Sequence, residues 1–245
     1  MHPSARRNYA RFVRTYLSGW PKGTVVDIGA QDVNGSLREL TPQTWSYVGV
    51  DFAAGQGIDI VLADPYVLPI EDASVDVVVS SSCFEHSEFF WVLFLEIVRV
   101  LKPGGLFYLN VPSNGYFHRY PVDCWRMYPD AGVALARWGV RNGYSVELLE
   151  SFTTAQEDDV WNDFVAVFGT GPDAAVQHPR RICADWHDFW NGRVAGSDAI
   201  LNESHPTEDM KRSEALAAAV KGASEPASPA TLSPGHEALG PGKSP

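Results

Sequence analysis

Three acids and a glycine stand where apolar runs end. Asp27 and Gly29 lie in VVDIGAQDVNG (25–35), Asp51 closes YVGVD (47–51), and Asp64 opens DPYVLP (64–69). A buried strand that ends in an acid and turns at a glycine can deliver backbone to a ligand. Glycine tolerates the tight turn and close approach, and the first turn of a following helix offers unpaired N–H groups to an anion. An acid closing the second strand is where a nucleotide-type cofactor has its ribose hydroxyls held. A second reactive group follows: Glu85-His86, and His118 within YFHRYPVDCWRMYPD (116–130). A neutral imidazole is suited to take a hydroxyl proton at neutral pH. Asp123 is close enough in sequence to fold back on His118 and fix its tautomer.

The loop after Asp27 indicates which cofactor. A dinucleotide fingerprint requires G-x-G-x-x-G. Here Gln31 stands where the second glycine would be, and Asn34-Gly35 follows. Asp27 and Asp32 would repel a pyrophosphate, but not a sulfonium and an ammonium. The residues therefore favour S-adenosylmethionine over NAD.

The elements that must position these groups are readable as alternating runs. Residues 24–28, 46–50, 58–62, 75–80 and 105–111 are apolar and rich in Val, Ile or Leu, as strands buried on both faces of a parallel sheet are. Helical spacing recurs over 4–18, 88–101 and 129–143, and 145–152 with 160–168 reads as a final hairpin. The expected architecture is α/β: a Rossmann-like open sheet, mostly parallel, with helices on both faces and an antiparallel hairpin at its end. Residues 1–22 form an N-terminal helix that either packs or closes over the cofactor, and 23–170 form the cofactor-binding domain. Residues 171–205 form an extension whose Trp186, Phe189 and Trp190 suggest a helix that docks or joins a homodimer. Residues 206–245 read as a disordered tail, aperiodic and rich in Pro, Ser, Ala and Gly from about Ala223.

Composition narrows the partners. The net charge is −11 and the pI is near 5.0, which argues against nucleic acid or an anionic membrane as main partner. The cysteines Cys83, Cys124 and Cys183 are scattered and form no C-x-x-C, so a reduced, cytoplasmic setting fits best. No run approaches the roughly 18 apolar residues of a membrane span.

Further along, DIVLADPYVLPIEDASVDVVVSSSCFEH (59–86) and EIVRVLKPGGLFYLNVPS (96–113) follow in order. With the first loop, this series resembles the class I S-adenosylmethionine-dependent methyltransferases over roughly 23–168. The resemblance implies that Gly29, Gln31 and Asn34 lie near the carboxypropyl end of the cofactor and that Asp27 helps orient its ammonium. It implies that Asp51, with Phe52, holds the ribose and Asp64 the adenine amino group, and that Ser81 closes the fourth strand at the same site. Pro65, which lacks the N–H often used beside the adenine, leaves that contact to the Tyr66 N–H.

The acceptor is read from the next two turns. The Asn/Asp-Pro-Pro-aromatic motif of amino-methyltransferases is absent at Ser80–Phe84, which disfavours nucleobase amines. In the 116–130 loop Tyr116, Arg119, Tyr120, Trp125 and Arg126 suit a sugar, whose C–H faces stack on aromatics and whose hydroxyls need polar partners. The loop is similar to those of uncharacterised methyltransferases associated with bacterial polysaccharide and glycolipid pathways, such as methylmannose polysaccharide synthesis. The expected activity is O-methylation of a sugar or oligosaccharide hydroxyl, with His118, Asp123 and His86 as catalytic residues. A quinone or phenol acceptor is the alternative within the enzyme class, and a cofactor-binding pseudoenzyme or assembly partner the alternative outside it. Glu85-His86 also resembles a turn that holds a divalent cation such as Mg in quinone-biosynthesis O-methyltransferases, although Ser82 replaces the upstream acid.

Overall fold

The computed structural model describes residues 2–157 and 160–224. Five strands, β1 (Thr24–Ile28), β2 (Ser46–Asp51), β3 (Ile60–Val61), β4 (Val75–Ser81) and β5 (Leu101–Pro112), pair in parallel. Three more, β6 (Val146–Thr154), β7 (Asp163–Thr170) and β8 (Phe189–Val194), pair antiparallel. The order is β3-β2-β1-β4-β5-β7-β6-β8. The chain reverses direction across the sheet between β1 and β4, and a crevice at the carboxyl ends of such strands is where ligands bind in open α/β sheets.

Alternate residues of the central strands feed two cores. Val26, Ile28, Val78, Phe107 and Leu109 join one face with Leu93, Phe94 and Ile97 of α2 (Phe90–Val100) and Leu135 of α3 (Asp130–Arg141). Val25, Val77, Val79 and Tyr108 join the other with Tyr9 and Phe12 of α1 (Pro3–Phe12) and with Tyr16. Tyr9 and Phe12 are fully buried, at about 1.5–3 kcal/mol for a large side chain such as Phe. The N-terminal helix thus packs on the sheet, while Arg7 and Arg11 on its polar side pair with Glu157 at 2.7 and 2.9 Å. Two four-residue helices, α4 (Ala174–Gln177) and α5 (Ile182–Asp185), lead into β8.

Three expectations are corrected. The helix anticipated after the Gly29 loop is only a four-residue 3-10 turn, Leu37–Leu40, capped by the Ser36 side chain. The aromatic segment expected to be helical contains β8 instead, which pairs with β6 and makes the sheet one strand wider than the hairpin predicted. Phe189 is buried against Phe152 and Trp186, and Arg11 stacks over the Trp186 ring at 3.9 Å. These rings are held by the chain itself. The third correction concerns the tail. Residues up to His205 form one compact unit, and the segment from Pro206 is a second. In that second unit Glu208–Ser224 form helix α6, although they were read as tail; Ala223 and Ser224 lie within it, and the rest of the tail lies outside the described residues. Alanines at five of its seventeen positions favour a helix, whatever its lack of an apolar stripe. Among the described residues no helix is long and apolar enough to cross a membrane.

Candidate active site

A cavity of about 550 Å³ opens at the carboxyl ends of β1, β2 and β4. Of the residues expected at the cofactor, Asp27, Gly29, Gln31, Asn34, Asp51, Phe52, Pro65 and Ser81 line it. Gly29 has φ +82°, and its N–H donates to the Val50 carbonyl at 2.9 Å. A Cβ there would lie 2.5 Å from Cys83 Cβ, so only glycine allows the first loop to meet the turn after β4. Asp32 is turned into its own loop, accepting from the Gly35 N–H at 2.8 Å, and does not line the cavity.

Asp27 is buried at the end of β1 and accepts from the Tyr47 hydroxyl. Burial pushes its carboxyl up to about 7, against the lowering effect of the Tyr47 hydrogen bond. Asp51 closes β2 and accepts from the Ala53 N–H at 3.2 Å. Ser81 Oγ is buried without a hydrogen-bond partner. A cationic ammonium at Asp27 and a polar ligand atom at Ser81 would answer both unmet requirements, since buried polar groups are normally paired. The residues present therefore fit S-adenosylmethionine.

Asp64 departs from expectation. It lies outside the cavity wall, exposed, and its carboxylate accepts from the Tyr66 N–H at 2.8 Å. One turn thereby engages both the acid expected at the adenine and the N–H expected to replace that of Pro65. The physical reason is local: an aspartate two residues before a free N–H closes on its own backbone.

The opposite wall of the cavity comes from two segments. A left-handed residue, Ser82 (φ +54°), turns the chain out of β4 into a short 3-10 helix, Phe84–His86. The 116–128 loop then lies against it, with Cys124 N–H and Trp125 N–H donating to the Glu85 carbonyl at 2.7 and 3.2 Å. His86 donates from Nδ1 to the Val122 carbonyl at 2.5 Å, which leaves the lone pair on Nε2. That atom is 3.7 Å from Glu85 Oε1. Burial lowers the His86 pKa and pushes Glu85 up to about 8. Glu85 is 1% exposed, and neither carboxylate oxygen has a hydrogen-bond partner. The His118 ring stands edge-on to His86 with centroids 5.0 Å apart. Its Nδ1 is 3.3 Å from the Tyr116 carbonyl and 3.5 Å from Asp123 Oδ2. Arg126 Nη2 also lies 3.3 Å from that nitrogen, so a carbonyl, a carboxylate and a guanidinium donor meet at Nδ1.

The loop residues divide into two sets. His86, His118, Arg119 and Tyr120 line the cavity, whereas Tyr116, Asp123, Trp125, Arg126 and Glu85 do not. Arg126 is engaged by the Asn114 and Tyr116 carbonyls and by Asp123. Trp125 donates from its indole to the Ser87 carbonyl and packs on Phe90 and Trp91. Of the residues expected to meet the substrate, Arg126 and Trp125 are thus engaged within the loop that presents His118, and Tyr116 lends it a backbone carbonyl. Asp123 mainly grips backbone: it accepts from the His118 N–H at 2.7 Å. Residues the sequence did not single out include His2, Leu62 and Leu93, which also line the cavity. His2 stacks against Trp161 at 4.7 Å; an isolated histidine before a helix carries no periodic signal. Burial raises the Cys83 thiol pKa, which makes it a packing group at the base of the site.

Comparison with known proteins agrees with this geometry. Residues 26–109 match a family model described as a methyltransferase domain. The phthiotriol/phenolphthiotriol dimycocerosates methyltransferase of Mycobacterium tuberculosis is 32% identical over 124 residues, 41% of this chain and 45% of that protein. An uncharacterized methyltransferase of Mycobacterium bovis strain BCG is 39% identical over 72 residues, 29% of this chain and 28% of that protein. The chain thus spans less than half the length of these curated relatives. Among solved structures, the 1,6-didemethyltoxoflavin-N1-methyltransferase of Burkholderia thailandensis, with S-adenosylhomocysteine bound, superposes with TM-score 0.52 at 16% identity. The superposition covers 69% of this chain and 79% of that one, and it speaks for a shared fold. Residues 26–109 are thus similar to a methyltransferase domain, and the strand order and the glycine-and-acid wall of the cavity agree with that similarity.

Proposed function

We propose that this chain is an O-methyltransferase acting on a hydroxyl of a sugar or glycolipid-type small molecule in the cytoplasm. One observation carries the reading: a single cavity runs from Gly29 and Asp51 to the imidazoles of His86 and His118. It offers a cofactor end and an acceptor end in one enclosure. S-adenosylmethionine supplies an electrophilic methyl group when bound. Asp51 would accept from two ribose hydroxyls, Asp27 would face the ammonium, and the Gly29–Gly35 loop would enclose the methionine end. At the other end His118 accepts the hydroxyl proton at Nε2, Arg119 offers a cation to acceptor oxygens, and Tyr120 offers a ring face. Holding the two reactants in line is the larger contribution, about 7–11 kcal/mol in well-oriented systems.

The cavity favours an acceptor with stacking faces: Phe52 and Tyr120, both exposed, line it. The Mycobacterium tuberculosis relative is named for phthiotriol, a lipid alcohol, which supports a hydroxyl acceptor and adds lipid alcohols to the classes to be tried. The cytoplasmic assignment rests on the cysteines, all three of which are free thiols.

The test is incubation with methyl-labelled S-adenosylmethionine and separate panels of sugars, lipid alcohols, phenols and peptides. Label in an alkali-stable ether on a sugar-bearing acceptor is the expected result. Label confined to phenols moves the acceptor to the aromatic class. Binding of S-adenosylhomocysteine with no transfer to any panel would make the chain a cofactor-binding pseudoenzyme.

A further inference from the structure

We propose that Glu85, His86 and His118 form a binding site for a divalent transition-metal cation, with its open positions facing the acceptor end of the cavity. One ligand atom from each of the three lies within 4.8 Å of the other two. Two come from the turn after β4 and one from the loop after β5, so the sheet brings them together across 32 residues of chain. An ion held at about 2.0–2.2 Å from nitrogen and oxygen ligands would need these atoms closer by roughly 1 Å.

Each ligand is prepared in a way that a packing role does not explain. Glu85 is buried with both oxygens unpartnered, although a buried carboxylate is costly unless paired or bound to a metal. Its carboxylate lies behind the cavity wall, against the imidazole of His86. His86 donates its Nδ1–H to the Val122 carbonyl. A backbone carbonyl in that position is the usual support for a metal-bound histidine, because it fixes the tautomer and aims the other nitrogen. His118 has Tyr116 O and Asp123 on its Nδ1 side, together with Arg126 Nη2 at 3.3 Å. The nearest guanidinium, Arg126, is neutralised by Asp123 at 2.6 Å and so offers little repulsion to a cation.

The donor set decides the class of ion. Magnesium prefers oxygen ligands and retains its waters. Two imidazoles and one carboxylate select zinc, iron(II), manganese or cobalt, and three protein ligands leave positions open. Magnesium, suggested by the Glu85-His86 pair alone, is replaced by a transition metal once His118 completes the set. The consequence for catalysis rests on the methyl-transfer reading: an ion there would lower the pKa of an acceptor hydroxyl that reaches it, so that in the metal-loaded protein the hydroxyl proton would pass to solvent and His118, the base of the metal-free protein, would act as ligand. Metal binding itself does not rest on that reading.

The test uses the untagged full chain, stripped with chelator and titrated by calorimetry with zinc, manganese, cobalt and magnesium salts in the absence of cofactor. One equivalent of zinc per chain is expected at micromolar Kd or tighter, with magnesium at least about 100-fold weaker. The cobalt form should show visible absorption of nitrogen and oxygen ligation. His118→Ala and Glu85→Gln should each weaken zinc binding at least about tenfold. Affinity for S-adenosylhomocysteine, measured on the same samples, reports whether the variants fold and tests the cofactor reading separately. No saturable binding of zinc, manganese or cobalt overturns the proposal, as does zinc binding unaltered in folded His118→Ala.

Discussion

Arg126 holds both oxygens of Asp123, with Nη1 2.6 Å from Oδ1 and Nη2 2.9 Å from Oδ2. The carboxylate in turn accepts from the His118 backbone N–H. This pair fixes the 116–128 loop, and with it the imidazole that the loop presents to the cavity. The guanidinium holds the Asp123 carboxyl down at about 2, below its usual 3.8. A depressed carboxyl contributes stability that is present above its unfolded pKa and is lost as pH falls through its folded one. The loop contribution should therefore fade between about pH 4 and pH 2. Asp123→Asn should destabilise by roughly 1.5–3 kcal/mol, as hydrogen bonds to charged groups do, and should flatten that acid limb in thermal melts recorded against pH. A melting temperature equal to wild type at pH 7 would show that the loop is held by other contacts.

Asp51→Ala should weaken S-adenosylhomocysteine by roughly 1.5–3 kcal/mol. Calorimetry measures it directly. Asp64→Ala should leave the affinity close to wild type, because its carboxylate is engaged by the Tyr66 N–H and does not line the cavity. A large loss from Asp64→Ala would show that the turn rearranges on cofactor binding.

Asp27 should make both stability and cofactor binding depend on pH, in opposite senses. Its folded pKa, about 7, lies above the ordinary 3.8. The folded chain thus holds a proton that the unfolded chain has lost, and stability falls as pH rises from about 4 to 7. Affinity for a ligand bearing an ammonium should rise over the upper part of the same range, as the carboxylate forms. Asp27→Asn should remove both slopes. Equal slopes in wild type and variant would place the titrating group elsewhere.

His118→Ala should lower turnover about 10²–10⁴-fold, the usual contribution of general-base catalysis, with cofactor affinity retained. Stopped turnover assays at saturating cofactor separate the two. Full activity in His118→Ala together with its loss in His86→Ala would move the proton acceptor to the turn after β4.

The legibility of these features in the sequence followed their range. Thr24–Ile28 and Val75–Ser81 are visible as continuous β-branched runs because both faces of a central parallel strand are apolar. Gly29 and Asp51 are visible because the positions where such strands end constrain residue type. Phe189–Val194 was not visible as a strand: Asn191 and Gly192 interrupt it, and its partner β6 lies 35 or more residues earlier in the chain. The loop contacts of Trp125 and Arg126 were not legible for a related reason. Aromatic and cationic side chains have the same composition whether they meet a ligand or hold a loop, and only the carbonyls around Arg126 decide between them. Glu85 and His118 as neighbours depended on the loop folding back across β5, which local spacing does not encode.

The strand that escaped the sequence sets one margin of the sheet. Without β8, the nine-residue β6 would be the sheet margin, with a row of unpaired backbone groups open to another chain. The margin is instead the shorter β8, and its outer side is closed at Gly192, which exchanges hydrogen bonds with Leu201 at 2.8 and 2.9 Å. At the far margin β3 is only two residues long. Among the described residues, both borders of the sheet therefore offer little free backbone for pairing with another strand.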